Sequence, residues 1–155
     1  MNNHIGISQE SAKILIDKLN VLLANTQVFY MNTRGMHWNI KGEKFFELHL
    51  KFEELYNDLN LKVDEIAERI LTLGGTPQHS YSDYFEHSQI QESKNLDSSQ
   101  TCLNNILKSF ETLLILEREI LSIANSADDE GSSALMSDYI RQQEKLVWMY
   151  RAYMA

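Results

Sequence analysis

Apolar residues recur at intervals of three and four along most of this chain, the spacing that gives an α-helix one continuous apolar stripe. A first run carries Ile14, Leu15, Leu19, Leu22, Leu23, Phe29 and Tyr30. It opens near Ser8, in a Ser-x-x-Ser stretch suited to capping, and ends at the break HWNIKG. A second run carries Phe45, Leu48, Phe52, Leu55, Leu59, Val63, Ile66, Ile70 and Leu73, and stops at Gly74-Gly75 with Pro77 just beyond. From Thr76 to about Asp97 the chain is polar and irregular, with YSDYFEH at its centre as a short helix. A third helix carries Leu103, Ile106, Leu107, Phe110, Leu113, Leu114, Ile120 and Leu121. ANSADDEGSS breaks it, and a fourth runs from about Ser133 to Tyr153. Two short connections and one long one predict an all-α fold, a four-helix bundle whose long crossover carries a short extra helix, in the ferritin-like topology.

Composition narrows this picture without redirecting it. The 155 residues fit a single domain, 1–155, large enough to bury a core without staples. The one cysteine, Cys102, lies in an apolar-periodic run and reads as a buried reduced thiol, which excludes an intrachain disulfide and a cysteine-rich zinc site. The N-terminal stretch has no basic segment leading into an apolar one, and no apolar run approaches a membrane span, so a soluble cytoplasmic protein is expected. A formal net charge of −8 opposes nonspecific attraction to nucleic acid or anionic lipid and suits attraction of cations.

Candidate chemistry sits on the second helix. With His49 at zero and about 100° per residue, its apolar set falls in an arc of roughly 240° to 320°. His49, Glu53, Asp64 and Glu68 occupy roughly 0° to 100°, mixed with Phe46, Leu50, Leu61, Ala67 and Leu71. A merely solvated face seldom carries so many large apolar residues, so this stripe reads as a contact surface. Asp64 and Glu68 lie one turn apart and can reach one cation. His49 precedes Asp64 by about 22 Å of helix, so one chain cannot bring them to the same ion. Two copies packed antiparallel about Asn57 to Asn60 can, and twofold symmetry then makes two equal sites. His37 lies just before the NIKG turn and His49 about two helical turns beyond it, so antiparallel helices joined there bring the imidazoles together. Each histidine alone is more often a packed structural residue than a ligand; together with the two carboxylates they make a nitrogen and oxygen set suited to ferrous iron or zinc. A metal site inside one bundle would use Glu-x-x-His pairs, and none occurs in the chain.

The block HWNIKGEKFFELHLKFEELYNDLNLKVDEIAERILTLGG resembles the signature of the Dps family, the mini-ferritins named as DNA-binding proteins from starved cells. DYIRQQEKLVWMYRAYMA resembles that family's last helix. The resemblance covers essentially the whole chain. It implies a hollow homo-dodecamer with iron-oxidising sites at twofold interfaces, formed by His37 and His49 of one subunit with Asp64 and Glu68 of its neighbour. Glu53 stands where the family usually has an aspartate ligand, and Trp38 resembles a tryptophan that intercepts radicals near the iron. Asp128, Asp129 and Glu130 resemble the acidic loop of the family's threefold iron-entry pores; an acidic cap at a helix start accounts for them equally. The implied activity is oxidation of ferrous iron, preferentially by hydrogen peroxide, and storage of ferric mineral, with zinc as a competing ion. DNA-binding members often carry a lysine-rich tail. Here residues 1 to 12 hold neither Lys nor Arg and the sequence stops at Ala155, so no strong DNA binding is expected. A shell that mainly shields, with weak metal chemistry, is the competing function.

Elsewhere the blander readings stand. His4, His79 and His87 are expected at the surface, and the tyrosines and Trp148 in packing. The charges of LEREIL are expected to pair along a solvated or subunit-facing surface.

Overall fold

The computed structural model describes residues 3–155; Met1 and Asn2, part of the tail without Lys or Arg considered for DNA binding, lie outside it. Five helices follow in order: α1 Gln9–Asn39, α2 Phe45–Thr72, α3 Tyr81–His87, α4 Ser99–Ser126 and α5 Glu130–Met154. Among the described residues there is no strand. The long helices α1, α2, α4 and α5 form the bundle, with α1 against α2, α4 against α5 and α1 against α4, while α3 packs on α1. No helix of the described chain is long and apolar enough to cross a membrane.

Four of the five helix starts have a side-chain cap; α2, which follows Lys44, has none. Ser8, Ser80 and Ser98 cap α1, α3 and α4, each hydroxyl accepting a bond from the backbone N–H three residues on. At the end of α2, Gly74 takes φ +93°, the left-handed conformation that side chains resist, and Gly75 N–H closes back on the Ile70 carbonyl. The start of α5 differs from the sequence expectation, lying at Glu130 rather than near Ser133. Gly131 and the serines read as loop, yet Asp129 caps this helix by accepting from Ser132 N–H at 3.0 Å.

The crossover is held by two buried amides of α1, two turns apart. Asn25 Oδ1 accepts from the backbone N–H groups of Gln89 and Ile90, both at 3.0 Å. Asn32 Oδ1 accepts from Ser93 N–H at 2.9 Å, and its Nδ2 donates to the Gln91 carbonyl at 2.9 Å. Satisfying buried polar atoms this way fixes the long connection against one helix. Between the helices lies a single core that includes Leu15, Leu22, Phe29, Phe52, Leu59, Ile66, Ile106, Phe110 and Met136.

Two sequence expectations need correction, and a third, the buried thiol, holds. Glu117, read with the solvated charges of LEREIL, is only 1% exposed; it continues the apolar register of Phe110, Leu113, Ile120 and Ala124 into the core. Its neighbours behave as expected, Glu119 pairing with Lys18 and Arg118 with Glu144 at the surface. Trp148, read as packing, is exposed within the chain, whereas Tyr84, Tyr139 and Tyr150 are buried. Cys102 is a buried free thiol, and burial pushes its pKa up to about 11.

Candidate metal centre

The centre is built at the corner where α1 ends and α2 begins. His37 lies in the last turn of α1 and His49 in the first turns of α2, and the short connection between them turns on Gly42 at φ +110°. The two imidazoles hold each other through the backbone. His37 Nδ1 lies 2.6 Å from the His49 carbonyl oxygen, and His49 Nδ1 lies 2.8 Å from the His37 carbonyl oxygen. A carbonyl only accepts, so each Nδ1 carries a proton and donates it, which leaves Nε2 as the nitrogen whose lone pair a metal ion would take. This is the tautomer a metal ligand needs, fixed by a backbone acceptor.

The rings stack with centroids 3.9 Å apart and planes inclined by 14°. An imidazole lone pair lies in the ring plane, and two nearly parallel planes do not meet at metal-bond distance. The pair is therefore poorly shaped to share one ion at about 2.0–2.1 Å from each nitrogen and well shaped to present one nitrogen to each of two ions. Phe45 stacks on the outer face of His49 at 5.1 Å, and the Tyr56 ring meets His37 edge-on at 5.3 Å.

The carboxylates stand apart from this pair. Asp64 and Glu68 are exposed on α2, one turn from each other, and among the described residues their side chains form no hydrogen bond or ion pair; Glu53 is half-buried one turn beyond His49 and is equally free there. Among the described residues no group of three or more histidine, cysteine, aspartate or glutamate side chains gathers around one point. The chain thus brings His37 to His49 and keeps Asp64 beside Glu68, and it does not bring the two pairs together. Around them α2 exposes Phe46, Leu50, Leu61 and Leu71, while Leu48, Phe52, Leu55, Leu59, Ile66 and Ile70 are buried on its other side.

The remaining sequence candidates divide. Trp38 is exposed beside His37, with the Arg34 guanidinium over its ring. Asp128, at φ +55°, and Glu130 are exposed at the turn between α4 and α5. Asp129 is not available to line a surface: it is 2% exposed and its carboxylate accepts from Arg69 Nη2 at 2.7 Å. Gly131 permits that approach, since a Cβ there would fall 2.7 Å from the same guanidinium. Sequence reasoning missed Arg34 and Tyr56 beside His37; only their spacing on two helices that meet at a known corner could have signalled them.

Comparison with known proteins agrees with this architecture. The family model of the ferritin-like domain matches residues 16–155. A DNA protection during starvation protein of Porphyromonas gingivalis is 40% identical over 148 residues, spanning 96% of this chain and 93% of its own. A Dps protein of Vibrio cholerae O1, described as a member of a broad superfamily of ferritin-like diiron-carboxylate proteins, superposes with a TM-score of 0.97 at 53% identity, covering 98% of this chain and 96% of that one. A Dps protein of Bacillus brevis superposes with a TM-score of 0.92 at 30% identity, covering 96% and 100%. The chain belongs to the ferritin-like family and, within it, to the Dps proteins.

Proposed function

We propose that the protein oxidises ferrous iron at sites shared between two subunits and stores the ferric product inside a closed homo-oligomeric shell, a dodecamer by family resemblance. The observation that carries this is the reciprocal clasp of His37 and His49, which leaves each Nε2 to take a metal ion beside an exposed apolar stripe carrying Asp64 and Glu68. Iron is the substrate and cargo. His37 and His49 of one subunit would each supply a nitrogen to one of two ions, with Asp64 and Glu68 of a second copy bridging or completing their shells. Glu53, a turn from His49, adds a carboxylate whose extra methylene suits binding directly or through a water. Two paired ferrous ions together deliver the two electrons that reduce hydrogen peroxide, with two protons, to two waters; no one-electron oxygen radical is released. The ligands hold the ions paired and stabilise the ferric charge, and the metal supplies the redox chemistry. Trp38, exposed next to a ligand, is placed to intercept a one-electron product that escapes. Asp128 and Glu130 give an approaching cation an acidic surface, with Asp129 fixing their turn rather than joining them. The net charge of −8 per chain argues against strong DNA binding by the shell and so against shielding as its main role.

The test is anaerobic addition of ferrous iron followed by peroxide or oxygen, reading ferric absorbance in wild type and Asp64→Ala. Wild type should oxidise iron rapidly with peroxide, and the variant should be slower by at least about 100-fold, since losing a ligand costs more than losing an outer-shell partner. Equal rates in wild type, variant and buffer would sink the assignment. Asp64 has no partner among the described residues, so the variant should fold as the wild type does.

A further inference from the structure

We propose that Arg34 is a positioning residue for the metal centre, locking Tyr56 against His37 so that the imidazole is oriented before an ion arrives; this rests on His37 and His49 being ligands. Arg34 is half-buried on α1, one turn before His37, and among the described residues it pairs with no carboxylate. Aromatic faces surround its charge instead. The guanidinium carbon lies 4.8 Å from the Tyr56 centroid, 5.3 Å from that of Trp38 and 5.9 Å from that of Tyr30, and Nη1 donates to the Tyr30 hydroxyl at 2.6 Å. A planar cation stacked on rings and tied at one end holds its neighbours more firmly than a flexible ammonium does.

The chain of contact runs from that guanidinium to the ligand. Tyr30 meets Tyr56 edge-on, centroids 6.0 Å apart at 82°, and Tyr56 meets His37 edge-on, 5.3 Å apart at 72°. The Nδ1 hydrogen bond and the covalent link at Cγ restrain two points of the His37 ring and leave a coupled χ1 and χ2 rotation as its remaining freedom. The Tyr56 ring and the stacked His49 ring, both packed on His37, oppose that rotation. A site held this way needs less reordering when metal binds.

The charge of Arg34 makes the inference testable by sign. A guanidinium this close to a cation site repels an incoming divalent ion. If charge were its only effect, removing it would tighten metal binding; if it positions His37, removing it weakens binding. Cobalt(II), whose visible absorption reports its ligand geometry, should be titrated anaerobically at fixed pH into the assembled full chain. Wild type, Arg34→Met, Arg34→Lys, Tyr30→Phe and Asp64→Ala should be compared, with circular dichroism and sedimentation checking fold and assembly.

Arg34→Met should bind cobalt about tenfold more weakly, with an altered spectrum. Arg34→Lys should recover part of the loss, since it keeps the cation but not the planar fork. Tyr30→Phe, which removes one hydroxyl and is the mildest change, should lose about threefold in the same direction, and it decides the matter if Arg34→Met does not assemble. Unchanged or tighter binding in Arg34→Met, or in Tyr30→Phe in that case, overturns the inference. If wild type and Asp64→Ala bind cobalt alike, the metal-centre reading itself falls and takes this inference with it. If those two differ while Arg34→Met matches wild type, only the role of Arg34 is lost.

Discussion

Leu59 and Leu61 lie two residues apart on α2 and meet opposite surroundings. Leu59 is fully buried against the bundle core, whereas Leu61 is 66% exposed, in a stripe with Leu50, Leu71 and Phe46, itself 81% exposed. The buried face finishes its work inside one chain: its residues interlock with those of α1, α4 and α5. The exposed face is chemically incomplete. It carries apolar side chains with nothing over them and carboxylates with no partners, in the same stretch of helix. Apolar area left open in a monomer marks a surface meant for contact, and unpartnered carboxylates beside two prepared imidazoles mark what that contact would complete. In the proposed assembly one helix would specify the subunit with one face and the contact between subunits with the other.

The largest effect on the subunit should come from breaking the buried face. Leu59→Ala removes packed side-chain volume where neighbours collapse only in part, and it should lower unfolding free energy by about 2–5 kcal/mol. Chemical denaturation followed by circular dichroism measures it. A loss no larger than that of a surface substitution would mean that the two faces differ less than their burial implies.

A second effect tests how complete the buried side is, because one group there is ill at ease. Burial raises the Glu117 carboxyl to about 8, against smaller lowering influences from the Gln143 amide and the charges of Lys62 and Arg118. Gln143 lies beside it, fully buried and without a well-aligned hydrogen bond. The sign follows from the raised pKa. The native state holds this proton more tightly than the unfolded chain, so the contribution to stability is whole below the ordinary carboxyl range of about 4.5 and is lost as pH rises through about 8. Glu117→Gln keeps the neutral shape and abolishes the titration. The variant should match wild type near pH 5 and exceed it by about 1–3 kcal/mol at pH 9, seen as a flatter dependence of melting temperature on pH. Parallel profiles for the two proteins would show that Glu117 is not the titrating group.

The two faces were unequally legible. Helix periodicity exposed the core of α2 almost residue by residue, because burial against one's own chain imposes a regular stripe. The same wheel showed that His49, Glu53, Asp64 and Glu68 share the other stripe, and the distance from His49 to Asp64 ruled out a site within one chain. Contacts between helices were harder to read. The reciprocal backbone bonds of His37 and His49 depend on how the corner closes, and the Arg34, Tyr30 and Tyr56 cluster depends on which rings that corner brings together. Glu117 was misread for a different reason: its charge outweighed its register, although its spacing from Leu113 and Ile120 placed it among core positions. The acidic cap weighed for Asp128 to Glu130 is made by Asp129, and it starts α5 earlier than Gly131 and the serines suggested.

The smallest effect on the subunit should come from the exposed face, and it is the most discriminating. Leu61→Glu puts a charge where the side chain already meets solvent, so a single subunit loses no core packing, and its intrinsic stability should change by no more than about 0.5 kcal/mol. In the proposed assembly the same carboxylate would lie against a twofold partner. Because symmetry presents every change twice, each contact would receive two new charges near the Asp64 and Glu68 pair with no added cation to balance them. Sedimentation velocity should therefore show smaller species at concentrations where the wild type is fully assembled, while the helical spectrum is unchanged. Iron oxidation should fall with the loss of assembly and return as protein concentration is raised, since each imidazole pair regains its carboxylates only when a partner docks. A Leu61→Glu protein that assembles and oxidises iron as the wild type does would show that the stripe on α2 is not the interface, and the carboxylates that complete the imidazole pair would have to come from another surface.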